Sequence, residues 1–501
     1  MAVPALLPHQ IPHYERISHV LDEGLTALDS SPVGSGKTYT TCRAAHVRGL
    51  SLLVVVPKSV KSKWRDVAGL YGVPVVGTST YQGLRGTRRY QPNSPYLRRE
   101  GDAFHPTAAF EALVEAGVLL VFDEFHNVKN PNTAQIESAA ALVRYIAARP
   151  NTNSRVLLLS ATPGDKKIHA FQFVRMLGIS AQPILHWYNP RARILMPRGI
   201  NDLLEWCAER DWEAAARVMD AHGEPQNATE SREFAYQLFV RIVLPQLGSA
   251  MPEPELVGAN GEPLLRDFKN GFYRLTPGNR VRLKAAIEQL AKAARPILEG
   301  RPVGGDAMGK ITTALMNIEA AKRDLFVRLA RETLAANPRG HVVILLNYIA
   351  NVEYVVEALA EFAPIRYTGD MDEADRDAAL AAFAEPNARR RLFIGTVAVA
   401  NVGIDLDDKR GDLPRSMFIS PDYRFIPLFQ ATGRIARSST RSVPVARFVY
   451  GSGEGSTEFA IVDSLARKTE VAHSYVTGEQ RPPFPGDLEA FHEIPVAARA
   501  G

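Results

Sequence analysis

Short apolar runs, each closed by polar or turn-forming residues, recur in two separate parts of the chain. In the first part they span residues 52–56, 73–76, 117–122 and 156–159, and in the second part 341–346, 391–395 and 417–420. Runs of this length that are rich in valine, leucine and isoleucine are typical of parallel strands buried on both faces. The pattern therefore predicts two α/β lobes.

A different pattern lies between the two sets of strands. Residues 201–222 and 280–298 show the spacing of amphipathic helices, and a proline- and glycine-rich passage at 245–277 separates them. We therefore predict four segments: a first lobe at 1–185, a helical insertion or linker at 186–325, a second lobe at 326–476 and a loosely ordered tail at 477–501.

Composition narrows the class of protein. A chain of 501 residues with 46% hydrophobic content is too long for one ordinary core. The net charge of +5 permits a polyanionic partner without requiring one. Two cysteines, Cys42 and Cys207, exclude a disulfide framework, and no apolar run is long enough to span a bilayer. We expect an intracellular, soluble protein in the cytoplasm or nucleus, or in a virion if the source is viral.

The first candidate for chemistry is the stretch S-P-V-G-S-G-K-T at residues 31–38. Gly34 and Gly36 allow backbone angles that turn successive N–H groups toward phosphate oxygens at a helix start. Lys37 supplies a positive charge for the β- and γ-phosphates, and Thr38 supplies a hydroxyl ligand for magnesium. The stretch predicts a phosphate-binding loop, although Ser31 replaces the usual first glycine.

The second candidate is D-E-F-H, which follows the apolar run at 117–122. One carboxylate of the pair Asp123 and Glu124 can hold the magnesium of a nucleotide, while its neighbour polarises the attacking water. Downstream, S-A-T at residues 160–162 closes the next run and offers hydroxyls that can bond to the acidic motif in one nucleotide state only. An ordinary turn at a strand end is the alternative for S-A-T.

Basic residues cluster after the run at 52–56 and between 85 and 99. Lys58 and its neighbours stand at a predicted strand end, where α/β sheets bind ligands, although a solvated helix face is the more common explanation. Trp64 within this cluster is interpreted as a packing residue. In the second lobe, residues 430–437 read as a helix that carries Arg434 and Arg437 three residues apart. These arginines fit either a solvated stripe or a set of donors to a phosphate.

The order of these motifs resembles that of superfamily-2 helicases and translocases, from Gln10 to about residue 475. S-P-V-G-S-G-K-T, D-E-F-H, S-A-T and Q-A-T-G-R-I-A-R match four motifs of that superfamily in order. P-K-S-V-K-S-K-W, T-S-T-Y and L-L-L-S-A-T-P are similar to the first lobe of Swi/Snf-type translocases of duplex DNA. Gly433 departs from the Swi/Snf pattern, and the second lobe is closer to compact Swi/Snf-like proteins of large DNA viruses and phages.

The resemblance implies two tandem RecA-like lobes with ATP and Mg²⁺ in the cleft between them. It implies catalytic roles for Lys37, Asp123, Glu124, Arg434 and Arg437, with Arg437 as the arginine finger. Nucleotide contacts are implied for Gln10, Gly34, Ser35, Gly36, Lys37, Thr38, Asp405 and Gln430, with Thr38 and Asp123 on the metal. Coupling roles fall to His126, Ser160 and Thr162. Contacts to the nucleic-acid backbone are implied for Lys58, Thr80, Asn347, Gly369 and Thr396.

The function predicted from the sequence is an ATP-dependent motor that moves along DNA, with duplex DNA as its favoured partner. Two alternatives stay open. The first is an RNA helicase, because D-E-x-H and G-R-x-x-R also fit that class. The second is a nucleotide-dependent switch or a structural subunit of a larger nucleic-acid assembly. In either case the expected protein partners are those of transcription, replication or packaging. The sequence does not indicate an oligomeric state.

Overall fold

The structure is a computed structural model of the chain. It describes residues 3–87, 92–131, 133–180, 187–189, 194–196, 199–253, 255–298, 305–385, 389–401, 403–452 and 458–477. The chain divides into two compact units: the first comprises Met1–Glu253 with Glu470–Arg481, and the second comprises Pro254–Thr469 with Pro482–Gly501. The predicted tail from residue 477 lies almost wholly outside the described residues.

The first unit is built on a parallel sheet of six strands with the order β10-β1-β7-β6-β2-β3. Its strands are β1 (Thr26–Asp29), β2 (Ser51–Val55), β3 (Val75–Ser79), β6 (Val118–Asp123), β7 (Arg155–Leu159) and β10 (Gly248–Ser249). Two antiparallel pairs stand apart from it: β4 (Leu97–Glu100) with β5 (Ala103–Pro106), and β8 (Trp187–Asn189) with β9 (Ile194–Met196).

Helices cover this sheet. They are α1 (Ile11–Glu23), α2 (Lys37–Arg48), α3 (Lys61–Leu70), α4 (Tyr81–Arg85), α5 (Ala108–Ala116), α6 (Ala134–Ala147), α7 (Ala170–Met176), α8 (Ile200–Arg210), α9 (Trp212–His222), α10 (Ala228–Leu238) and α11 (Leu244–Leu247). Single turns of 3₁₀ helix occur at Pro8–Gln10, Lys58–Val60, Phe125–Val128 and Lys167–His169, and a π-helical turn at Phe239–Val243 joins α10 to α11. Cys42 and Cys207 are both free and buried.

The second unit repeats the architecture. Its sheet has six parallel strands in the order β13-β18-β17-β14-β16-β15. These are β13 (Asp267–Arg274), β14 (His341–Leu346), β15 (Ile365–Tyr367), β16 (Leu392–Thr396), β17 (Arg415–Ile419) and β18 (Val445–Ser452), and a small antiparallel pair is formed by β11 (Leu256–Val257) and β12 (Pro263–Leu264). The prediction of two parallel-sheet α/β lobes is confirmed.

The helices of the second unit are α12 (Pro277–Leu298), α13 (Gly305–Ala320), α14 (Arg323–Ala336), α15 (Ile349–Ala358), α16 (Glu373–Ala384), α17 (Val397–Ala400), α18 (Phe425–Thr432) and α19 (Phe459–Thr477), with a 3₁₀ turn at Ala360–Phe362. All six residues of β14 are buried, as the continuous apolar run predicted. Within the described residues, none of the helices combines the length and the apolar character needed to cross a membrane.

The predicted boundaries at 186 and 325 differ from those of the two compact units. Helices α8 and α9 belong to the first unit, because Leu203 and Cys207 are fully buried in its hydrophobic core. Strand β13 belongs to the second sheet, where Phe272 stacks on Tyr450 with ring centroids 5.1 Å apart. The intervening block is therefore shared between two cores, since each piece buries its apolar face against a different sheet.

Residues 318–336 belong to two helices, with a break between them. α13 ends at Ala320 and α14 begins at Arg323. Between them Lys322 is fully buried, and its ammonium donates hydrogen bonds to Glu458 at 2.8 Å and to the Val449 carbonyl at 3.0 Å. The break between the helices lets the buried Lys322 reach one partner on β18 and another beside it. The spacing of apolar residues along a helix does not predict such a break.

Candidate functional site

The phosphate-loop stretch connects β1 to α2 in the first unit. Gly34 and Gly36 have φ of 81° and 99°, in the left-handed region that glycine adopts without strain. α2 begins at Lys37 directly after Gly36, so the unpaired N–H groups of its first turn and the positive end of its dipole face the loop. This is the geometry in which a helix start binds phosphate.

The side chain of Lys37 folds over the same loop. Its ammonium donates hydrogen bonds to the carbonyls of Ser31 at 2.8 Å and Pro32 at 3.0 Å. Both partners are neutral carbonyls, and phosphate oxygens would make stronger, charge-assisted bonds. Thr38 lies in the first turn of α2, next to Lys37.

Gln10 packs directly against the loop. Its amide nitrogen donates to the Ser35 carbonyl at 3.0 Å, and its amide oxygen accepts from the Leu7 N–H at 2.9 Å. A Cβ atom at position 36 would lie 2.1 Å from the Gln10 nitrogen, so Gly36 is required for this approach as well as for its φ. The structure places Gln10 at the predicted nucleotide site, and its contact with adenine stays a prediction.

A buried pair behind the loop was not predicted from the sequence. Asp29, the last residue of β1, accepts a hydrogen bond from the Ser31 N–H at 2.9 Å and lies 3.1 Å from His13 Nε2. Burial raises the pKa of Asp29, but the charges of His13 and Lys37 and the hydrogen bonds outweigh it, so the net pKa is lowered. A carboxylate just before the loop was the available sequence signal, and it holds the loop's first turn.

Asp123 and Asp29 stand at the same edge of the sheet. Both are in register with Leu159 of β7, one from each side, which places them two strands, roughly 10 Å, apart. Burial and the neighbouring charge of Glu124 raise the pKa of Asp123 to about 6, whereas the Trp64 hydrogen bond and the Lys37 charge oppose that rise. Lys37 and Asp123 therefore act on one another electrostatically, as the predicted nucleotide site requires.

Glu124 follows with a left-handed backbone, φ 53°, which is uncommon for a residue with a side chain. This turn directs the chain from β6 into the 3₁₀ helix at Phe125–Val128. His126 Nδ1 lies 3.3 Å from the Glu124 carboxylate and 3.1 Å from the Ser160 hydroxyl. The acidic motif and the S-A-T segment are thus in contact, and their coupling role stays a prediction.

Thr162 is joined to the same segment through its backbone. Its N–H donates to the Ser160 hydroxyl at 3.2 Å, and its own hydroxyl is buried and makes no hydrogen bond to any described residue. A buried hydroxyl of this kind is costly unless a second state supplies a partner.

The donors near the loop fit a hydrated magnesium ion better than a dedicated metal cage. In the part of the chain that the structure describes, no three His, Cys, Asp or Glu side chains gather as a metal site. Mg²⁺ in nucleotide sites needs only one or two protein oxygens, because phosphates and water complete its shell. The carboxylate of Asp123, whose pKa is raised by burial beside a second carboxylate, favours a divalent cation.

The predicted nucleic-acid residues of the first unit follow adjacent strands. Lys58 is exposed after β2, and Thr80 follows β3. The Thr80 hydroxyl accepts a hydrogen bond from the Gly83 N–H at 2.9 Å and so caps α4. Of the basic cluster between 85 and 99, residues 88–91 lie outside the described part, and the residues from Leu97 onward belong to β4.

In the second unit the corresponding residues also lie at carboxyl ends of strands. Asn347 follows β14, Gly369 lies two residues beyond β15, and Thr396 ends β16. The Asn347 amide donates to Glu319 at 2.9 Å and to the Ser420 carbonyl at 2.8 Å, and it accepts from Arg424 at 2.9 Å. Its side chain is therefore engaged within the unit, and Gly369 is the exposed member of the three.

The prediction that residues 430–437 form one helix is wrong beyond Thr432, where α18 ends. The N–H groups of Arg434 and Ile435 bond to carbonyls three residues back, so the chain tightens into turns after Gly433. Arg434 and Arg437 nevertheless converge: both donate to the Ile404 carbonyl, at 3.5 Å and 2.8 Å. Arg434 also bonds to the Asn401 carbonyl.

Arg437 has a charged partner as well, since its Nε lies 2.7 Å from Asp405 Oδ1. Asp405 thus contacts the arginine that the resemblance assigns as finger. Gln430 is completely buried in α18. The structure brings Arg434, Arg437 and Asp405 together, and the contact of each with a nucleotide stays a prediction.

Two residues gain a contact that the sequence did not indicate. Trp64, interpreted as a packing residue, is indeed buried, but its indole nitrogen donates to Asp123 Oδ2 at 2.9 Å. Tyr81 donates its hydroxyl to the Asp123 carbonyl at 2.8 Å. Periodicity predicts burial and carries no information on which distant polar atom a buried ring will meet.

The sequence is 25% identical over 467 residues to a protein of Acanthamoeba polyphaga mimivirus named as an ATP-dependent RNA helicase, and the match covers 89% of this chain and 78% of the relative. No protein-family model matches the chain. The resemblance to superfamily-2 helicases, with its link to large DNA viruses, is confirmed by this relative.

Solved structures give weaker similarities. The Sulfolobus solfataricus SWI2/SNF2 ATPase core in complex with double-stranded DNA is 15% identical, covers 90% of this chain and 89% of its own, and has a TM-score of 0.30. The Pyrococcus furiosus Hef helicase domain is 15% identical, covers 88% and 95%, and has a TM-score of 0.38.

Proposed function

We propose that this chain is an ATP-driven motor that moves along nucleic acid, with duplex DNA as its track. The observation that carries the proposal is the position of Lys37 and Asp123: the loop that ends at Lys37 follows β1, and Asp123 ends β6 at the same edge of the first sheet. The lysine follows two left-handed glycines at a helix start, and its charge partly opposes the rise in the pKa of the partly buried Asp123. A cationic loop beside a carboxylate is the arrangement that binds a nucleoside triphosphate with its metal.

Each residue of this site takes a role in hydrolysis. The loop N–H groups and Lys37 would hold the phosphates, Thr38 and Asp123 would hold Mg²⁺, and Glu124 would orient and deprotonate the attacking water. Magnesium, when bound, neutralises the charge of the β- and γ-phosphates. Gln10 reads the adenine edge. Arg434 and Arg437 of the second unit are proposed as further donors to the nucleotide phosphates, with Gln430 and Asp405 as additional nucleotide contacts.

The motor cycle follows from these contacts. Both units gain charge-assisted bonds to one triphosphate, and hydrolysis removes the γ-phosphate that joined them. If the grip of the two units on a phosphate backbone alternates, each cycle advances the protein. Such contacts carry no base identity, so binding is expected to tolerate any sequence and to weaken steeply with salt.

An experiment can decide whether duplex DNA or RNA is the substrate of this motor. The first-unit motifs favour a duplex-DNA translocase, whereas the mimivirus relative is named as an RNA helicase. ATP hydrolysis measured beside duplex DNA, single-stranded DNA and RNA separates the two, with the largest stimulation expected from duplex DNA. Triplex displacement without strand separation is the expected outcome of the paired motor assays, and stimulation by RNA alone would establish the helicase alternative.

The biological setting is a further part of the proposal. A motor of this kind serves transcription, replication or genome packaging, and acts in the cytoplasm, the nucleus or a virion. Proximity labelling in the native host would identify its protein partners, and recovery of membrane proteins alone would contradict the proposal.

A further inference from the structure

Two side chains link the predicted nucleic-acid segments of the first unit to Asp123. Trp64 of α3 is buried, with 1% of its surface exposed, and its Nε1–H donates to Asp123 Oδ2 at 2.9 Å. Tyr81, the first residue of α4, is equally buried and donates its hydroxyl to the Asp123 backbone carbonyl at 2.8 Å. The carboxylate and the backbone of one residue are therefore each held by a separate element.

These two elements are the ones that carry the predicted backbone contacts. Lys58 precedes α3 by one 3₁₀ turn, and Thr80 caps α4. Both follow adjacent strands, β2 and β3, and β2 also pairs with β6, whose last residue is Asp123. Each of these two elements is therefore joined to Asp123 by a hydrogen bond.

We propose that Trp64 and Tyr81 are positioning residues that couple nucleic-acid contact at Lys58 and Thr80 to the orientation of Asp123. The proposal rests on the proposed function, because it takes Asp123 as the magnesium ligand. A carboxylate with one oxygen held by an N–H donor cannot rotate freely, so its other oxygen keeps a fixed direction. Nucleic acid thereby improves the metal site without touching it.

Packing alone is the competing explanation for both rings. Trp64→Phe keeps an aromatic ring and removes the N–H, and Tyr81→Phe removes only a hydroxyl. Matched controls exist in the same unit. Tyr71 is a buried tyrosine whose hydroxyl makes no hydrogen bond to the described residues, and Trp206 is a half-buried tryptophan whose ring packs against Arg210.

The test measures Mn²⁺ binding with ADP by electron paramagnetic resonance, in the full chain and without turnover. We expect Mn²⁺ affinity to fall about 10- to 100-fold in W64F, the usual effect of removing a partner of a metal ligand. Y81F should lose about fivefold, the worth of one neutral hydrogen bond. Y71F and W206F should bind as the parent does, and all four variants should unfold near the parent's temperature.

The coupling is measured as the stimulation of ATP hydrolysis, which is the ratio of the rate with random-sequence duplex DNA to the rate without it. The same ratio is measured with duplex RNA. This ratio should fall in W64F and Y81F more than in Y71F and W206F. Parental Mn²⁺ affinity and parental stimulation in both variants would overturn the proposal. If W64F does not fold, Y81F decides alone, since losing one hydroxyl leaves the ring packing intact.

Asp123→Asn separates the failure of this proposal from that of the proposed function. If D123N binds Mn²⁺ as the parent does, Asp123 is not the metal ligand and the site itself is wrong. If D123N weakens Mn²⁺ binding while W64F and Y81F do not, the metal site stands and only the coupling is refuted.

Discussion

The two units differ in what lies next to one of their carboxylates: Asp123 of the first unit adjoins a second carboxylate, Glu124, whereas Glu458 of the second unit is paired with a lysine. Asp123 has a pKa raised to about 6 because burial and Glu124 disfavour its charge. By contrast, Lys322 and Glu458 form an ion pair at 2.8 Å with both side chains fully buried. A carboxylate destabilised by its surroundings can gain from a cation, and an already paired one gains little.

The candidate phosphate-binding cations of the two units, Arg437 and Lys37, differ in the partners that hold them. Among the described residues, Arg437 bonds to a carbonyl and to Asp405, while Lys37 of the first unit bonds to two carbonyls. Phosphate oxygens can displace neutral carbonyls more readily than a carboxylate. Nucleotide binding is therefore expected to begin on the first unit, with the arginines engaged afterwards.

The largest effect is expected for Arg437→Ala. If Arg437 stabilises the transition state, ATP turnover falls by about 1,000- to 100,000-fold. Turnover is measured by phosphate release at saturating nucleic acid, with the unfolding temperature recorded because the substitution also frees Asp405. Asp405→Asn is the matched control, since it removes the charged partner and leaves the guanidinium. Turnover of R437A close to the parent's would remove the finger assignment.

Glu124→Gln comes next. The amide cannot accept the water proton, so hydrolysis is expected to fall about 100- to 10,000-fold while nucleotide binding persists. Phosphate release and binding of a fluorescent ADP are compared in the same preparation. If E124Q abolishes hydrolysis and the biological activity is unchanged, the chain is a nucleotide-dependent switch.

Lys322→Met tests the paired charges of the second unit. It leaves Glu458 buried without its cation, which costs about 3–5 kcal/mol of unfolding free energy. Urea unfolding of the full chain is the measurement. The control, Lys310→Met, removes an exposed lysine that pairs with Asp306, and we expect a change below about 0.5 kcal/mol. Equal effects of the two substitutions would show that the buried Lys322–Glu458 pair contributes no more to stability than the exposed Lys310–Asp306 pair.

The smallest effect concerns pH. Burial, and then the charge of Arg415, lower the pKa of His341 to about 4. His341 binds a proton below about pH 6.5 in the unfolded chain but only near pH 4 in the folded chain. The free energy of unfolding is therefore unaffected by His341 above pH 6.5 and declines as the pH falls from 6.5 toward 4. A loss on the order of 2 kcal/mol is expected, and His341→Gln should flatten this part of the stability curve. An unchanged curve would place the titration elsewhere.

Much of the fold followed from local pattern. Strand β14 coincides with the predicted run at 341–346, because a strand buried on both faces must be continuously apolar. The phosphate loop could also be predicted from the sequence, since the chemistry of each position requires its glycine, lysine or threonine. The helix across 430–437 was predicted wrongly, because the arginine spacing fits a helix while i→i−3 turns bring the same groups together.

By itself the sequence determined the two sets of buried strands, the phosphate loop, the acidic pair and the order of the helicase motifs, because these depend on residues close together in the chain. Only the tertiary structure decided that helices α8 and α9 pack in the first unit and β13 in the second. It also decided that His13 pairs with Asp29 and that Trp64 and Tyr81 bond to Asp123. These contacts depend on which strands become neighbours, a property of the whole sheet that no local pattern encodes.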